Sequence, residues 1–86
     1  MNIRYCLVPA LWIKLIAMIL TIGSKKHKAD DFSGKTEDEY YDSAMGHLVA
    51  DREGVTIDPE DEMPTIVKAA VNLLIIHTKR LNNGTL

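Results

Sequence analysis

The sequence is poor in residues that usually announce the chemistry of a small domain. It has one cysteine in 86 residues. No internal disulfide can staple the fold, which suits a reducing compartment. Cys6 stands beside Leu7 and Val8 and reads as a small apolar residue rather than a reactive thiol. Aromatics are scarce too, with one Trp, one Phe and three Tyr. There is no basic excess: 10 Lys and Arg face 12 Asp and Glu, for a formal charge of −2. That excludes the strongly basic footprint of a duplex-binding protein. Internal repeats are missing, and so is any alternating strand pattern bounded by turn signals.

A membrane span would need about 20 apolar residues, and no such run exists. Leu7 to Ile22 is nearly all apolar, but it is shorter, contains Pro9 near its start and carries Lys14 near its centre. A lysine there costs roughly 2.5–3.5 kcal/mol on insertion. The following Gly23-Ser24-Lys25-Lys26 is a poor site for signal-peptide cleavage. A buried core helix is therefore preferred to an anchor or leader, and the cytoplasm is the expected location. A small membrane-anchored protein remains the alternative from a different class.

What the sequence has in quantity is aliphatic surface. Apolar residues make up 47% of a chain long enough for one domain, 1–86, and marginal alone at that size. The surplus points to burial against further copies, a homo-oligomer.

Three helices can be placed. The first spans about Pro9 to Ile22, with proline at a first helical position and Gly23 as the stop. The second spans about Glu37 to Glu53. Thr36 and Glu39 form a capping box, Gly54 ends the helix, and Tyr41, Ala44, Met45, Leu48 and Val49 form a stripe at helical spacing. The third runs from near Pro64 to about Asn82 and is apolar on most sides, with Lys79 and Arg80 suiting its C-terminal dipole. The fold expected is all-α, a three-helix unit forming a bundle completed by oligomerisation.

The polar candidates lie on the two connections and on the helix faces beside them. Asp58, Glu60, Asp61 and Glu62 put four carboxylates into five residues. Hard cations such as Mg²⁺ take oxygen ligands of this kind, while a solvated acidic loop before a helix N-terminus is the plainer account. Glu39 and Asp42 share a helix face. His47 lies among Met45, Leu48 and Val49, where a hydrogen-bonded core histidine is commoner than a ligand or a base. Asn72 sits inside the apolar third helix and must find partners. Lys25, Lys26, His27 and Lys28 follow Gly23, and lysines suit phosphate as point charges. Phe32, Tyr40 and Tyr41 are aromatic surfaces on which a base could stack.

These pieces occur in an order that resembles the phage dATP/dGTP diphosphohydrolase-like family, grouped with the all-α pyrophosphohydrolases. Arg4-Tyr5-Cys6-Leu7-Val8-Pro9 is similar to its Arg-Tyr-Asp-Leu-Ile-Pro opening. Gly23-Ser24-Lys25-Lys26-His27 and Asp31-Phe32 stand where it has Gly-Ala-Lys-Lys-Tyr and Asn-Trp. Tyr40-Tyr41-Asp42 through His47-Leu48-Val49-Ala50 is similar to its Tyr-Tyr-Asp-Ala-x-x-Arg-His-Leu-x-Ala segment. Gly54 to Glu60 and Thr65 to Asn72 follow in register, so the likeness covers about residues 4 to 76.

The departures fall on polar positions. Cys6 replaces an acid and Gly46 an arginine; Val55 stands for a glutamate, and Thr65 and Lys68 for histidines. The resemblance implies a nucleotide ligand, with Lys25, Lys26, His27, Phe32, Tyr41, Lys68 and Asn72 as its binding residues. It also implies Asp42, Asp58 and Glu60 as ligands of a possible Mg²⁺, with His47 assisting catalysis. Loss of a carboxylate would impair hydrolysis, which depends on positioning, whereas binding demands less. The reading favoured is therefore a phage-type protein that sequesters a purine nucleotide or a cyclic nucleotide signal, an anti-defence role in a host cytoplasm. Mg²⁺-dependent cleavage of dATP or dGTP with release of pyrophosphate is the alternative.

Overall fold

A computed structural model of the chain describes residues 1–25 and 34–82. After a single 3-10 turn at Tyr5–Leu7 come α1 (Ala10–Ser24), α2 (Glu37–Arg52) and α3 (Thr65–Arg80). The described residues contain no strand, only an isolated bridge between Ile57 and Pro64. The architecture is all-α, as the sequence implies.

Each helix starts where its local chemistry says it should. Pro9 precedes α1 and Pro64 precedes α3, each with extended ψ that the helix takes over. At α2 the capping box forms in full. The Glu39 N–H donates to Thr36 Oγ1 at 3.2 Å, and the Thr36 N–H donates to Glu39 Oε1 at 3.2 Å. Two orphan amides of the first turn are satisfied reciprocally, and Glu37, Asp38 and Glu39 complement the dipole. Gly54 follows α2 with φ +99°, a left-handed value that closes a helix at low cost only for glycine. Gly23 does not stop α1. The helix runs through it to Ser24, whose hydroxyl donates to the Thr21 carbonyl at 2.7 Å.

Helices α2 and α3 form an antiparallel pair. At one end Arg80 Nε donates to Glu37 Oε1 at 3.0 Å. At the other, Thr65 N–H donates to the Thr56 carbonyl at 2.9 Å. Between these ends the helices approach through small side chains, Ala44 and Ala69, both essentially inaccessible. Tyr40, Met63, Val71 and Ile76 complete the buried apolar set.

The buried face of α2 differs from the expected stripe. Tyr40 and Ala44 are buried and Ser43, His47, Leu48 and Asp51 are half-buried, while Tyr41, Met45 and Val49 are exposed. Both faces have helical spacing, and sequence periodicity alone does not choose between them. Ala44 and Leu48 belong to both faces; what differs is that Tyr40 rather than Tyr41 is buried in the pairing with α3. Helix α1 has no buried residue at all. Leu15, Ile16, Ile19, Ile22 and Gly23 are half-buried, a seam at helical spacing, and α3 is the helix it packs on. Ile13, Ala17 and Leu20 lie opposite that seam and are exposed. No helix among the described residues is long and apolar enough to cross a membrane.

Candidate functional site

The α2–α3 connection, which follows Gly54, is cinched on itself. The Asp58 N–H donates to the Met63 carbonyl at 2.9 Å, and the Glu62 N–H donates to the Asp58 carbonyl at 2.8 Å. Closing so tight a loop puts Glu62 at φ +62°, the left-handed region that a glutamate enters at some cost. Two aspartates then divide their oxygens. Asp58 Oδ1 accepts from the Glu60 N–H at 2.9 Å, and Asp61 Oδ1 accepts from the Met63 N–H at 3.0 Å. The other oxygen of each, Oδ2, accepts from the Lys68 ammonium at 2.6 Å. Lys68 reaches them from the first turns of α3, and its side chain is only 14% exposed.

The electrostatics agree from both sides of the Asp58–Lys68 pair. The hydrogen bond from Lys68 and then that from the Glu60 amide hold the Asp58 carboxyl below the usual range, against a smaller opposing effect of burial. Burial pulls the Lys68 ammonium down, but its hydrogen bonds to Asp58 and Asp61 outweigh that, and the net direction is up. His47, on the inner face of α2, feels the same cluster. Burial and then the Lys68 charge lower its pKa, and Asp58 and Asp61 oppose them more weakly. Its imidazole is therefore neutral at pH 7.

Lys35 stands apart from this cluster, just before the Thr36 cap of α2. Its ammonium lies 4.9 Å from the Tyr40 ring centroid and 3.4 Å from Ser43 Oγ. Sequence reasoning missed Lys35 and gave Asp61 no role beyond the acidic run. The spacing of Asp58 and Asp61 with a lysine seven residues later was the available signal for a clamp.

The remaining candidates are dispersed. Lys25 is exposed beyond the C-terminus of α1. Lys26, His27 and Phe32 lie outside the described residues. Tyr41 is exposed and its hydroxyl accepts from Arg80 Nη2 at 3.4 Å. Asn72 donates from Nδ2 to the Lys68 carbonyl at 3.1 Å, so this amide hydrogen serves its own helix. Asp42 and Glu60 are exposed, and no group of three or more acidic, histidine or cysteine side chains among the described residues is arranged to hold a metal. The donor set does not fit Mg²⁺: the two carboxylate oxygens that converge already hold an ammonium. Thr65 is 1% exposed, and its hydroxyl has no hydrogen-bond partner among the described residues.

This is an all-α scaffold in which one lysine of α3 and two loop aspartates form a shielded cluster at one end of a helical hairpin. Residues 1–85 match the family described as dATP/dGTP diphosphohydrolase, N-terminal, and the chain belongs to that family. Comparison with curated proteins and with solved structures gave no match.

Proposed function

We propose that the protein binds a purine nucleotide or a nucleotide signal on a diphosphohydrolase-type scaffold and holds it without cleaving it. One observation carries this reading. The convergent carboxylates Asp58 and Asp61 are neutralised by Lys68, so they are not free to position a divalent ion on a phosphate, and phosphoryl chemistry leans on such positioning. Val55 and Thr65 support it as apolar or buried residues at positions where the resemblance expects polar ones. Lys25 and Lys26 are the phosphate contacts of this reading, and Tyr41, with Phe32, offers a stacking surface. An anti-defence sponge of phage origin, working as a homo-oligomer in a host cytoplasm, is the role that fits such binding.

The test uses dATP, dGTP and cyclic dinucleotides, each with Mg²⁺. The nucleotide should be depleted from solution by the protein and recovered intact after denaturation. Charge reversal of Lys25 and Lys26 together should weaken that depletion several-fold. Turnover to monophosphate and pyrophosphate overturns the reading in favour of the enzyme. The enzyme reading has one observation of its own: His47 is held neutral beside a carboxylate pair, a protonation state in which it can accept a proton. In that reading Mg²⁺ would need Asp42 and Glu60 as well as Asp58.

A further inference from the structure

The acidic connection is built in the way that loops around bound cations are built. Two carboxylates from one short loop each fix a backbone amide with one oxygen and turn the other oxygen to a common point. In a cation-binding loop that point is an ion, and the ion's charge offsets the repulsion between its ligands. Here the point is Lys68 Nζ, delivered by the next helix.

We infer that Lys68 is a tethered substitute for a divalent cation, which organises the Asp58–Met63 loop without metal and keeps a latent cation site closed. Two features carry the inference. One ammonium from the next helix bridges both free carboxylate oxygens, at 2.6 Å to each, and so sits where the two negative charges converge. All three side chains are well shielded, at 13–17% exposure, so the pairing is screened less than one in open solvent. The inference rests on the same ion pairs as the proposed function but does not require that a nucleotide binds.

The experiment uses the full chain without nucleotide. Millimolar Mn²⁺ or EDTA should leave the melting temperature of the native protein unchanged. Lys68→Met keeps the aliphatic stem and removes the charge; its melting temperature should fall by roughly 10 °C or more. Millimolar Mn²⁺ should restore at least half of that loss. Adding Asp58→Asn and Asp61→Asn should abolish the rescue. A Lys68→Met protein that does not respond to Mn²⁺ overturns the inference. Should that variant fail to fold, the native chain decides by electron paramagnetic resonance of Mn²⁺. Saturable binding that Asp58→Asn removes overturns the inference, and a titration identical to that of Asp58→Asn supports it.

Discussion

Helix α1 leaves large apolar side chains exposed, and we expect further copies of the chain to cover them. Trp12 is 60% exposed and Leu11 and Ile13 are equally so. The outward stripes Ile13–Ala17–Leu20, Tyr41–Met45–Val49 and Ile66–Leu73–Leu74 are exposed as well. Stable dimers bury about 800 Å² or more on each partner, and apolar stripes on all three helices offer surface for such an interface.

Ile13→Glu tests this, because residue 13 lies opposite the α3-facing seam and the intrachain packing is left alone. Burying one isoleucine contributes about 1.5–3 kcal/mol. In a two-fold assembly each substitution counts twice, so the loss is about 3–6 kcal/mol. At tenfold per 1.4 kcal/mol, the dissociation constant should rise by roughly two to four orders of magnitude. Detergent-free sedimentation reads the mass, and the single tryptophan, Trp12, reports burial through its emission maximum. The native chain should sediment above 9.6 kDa, and the variant should move towards monomer with red-shifted emission. A monomeric native chain at tens of micromolar, or a variant of unchanged mass, refutes the reasoning; so does a need for detergent.

Two further outcomes follow from the hairpin. Asp58 titrates below its ordinary value and Lys68 above its own. The stability from their pairing is therefore present above about pH 3.9 and lost as acid takes the pH through the folded carboxyl's lower value; it is also lost as the pH rises past about 10.4. Melting temperatures across pH should show that acid loss in the native chain and a weaker one in Asp58→Asn. Thr36→Ala removes one half of the capping box and should lower stability by about 1 kcal/mol, or about 4–8 °C in a domain of this size; an unchanged midpoint would show that Glu39 caps α2 unaided.

The sequence was legible where one signal dominated. Thr36 with Glu39, Pro9, Pro64 and Gly54 marked helix ends, and the structure has ends close to all four. Gly23 misled, because glycine is permitted in a last helical turn as well as after it. The face of α2 was illegible for a physical reason: Tyr40 and Tyr41 begin two competing stripes that share Ala44 and Leu48, and only the packing of α3, a tertiary contact, selects the one that carries Tyr40. At the site, Lys68 stood out only as a departure from a histidine. Its target lay seven and ten residues upstream across a loop, and such a pairing depends on how the loop closes, which no periodicity encodes.

The helices differ in how firmly they are tied. The α2–α3 pair is fastened at one end by Arg80 and Glu37 and at the other by Lys68 with Asp58 and Asp61. Among the described residues, all the buried apolar ones except Met63 lie on those two helices. In the language of hydrogen exchange they form one cooperative unit, built from contacts local in sequence and so quick to assemble. Helix α1 has no buried residue and meets that unit only through a half-buried seam on α3, so in a lone chain its amides should exchange first and through a separate, cheaper opening. If copies associate over its exposed face, protection of α1 should rise with protein concentration while that of the hairpin stays constant, making the first helix a built-in gauge of assembly.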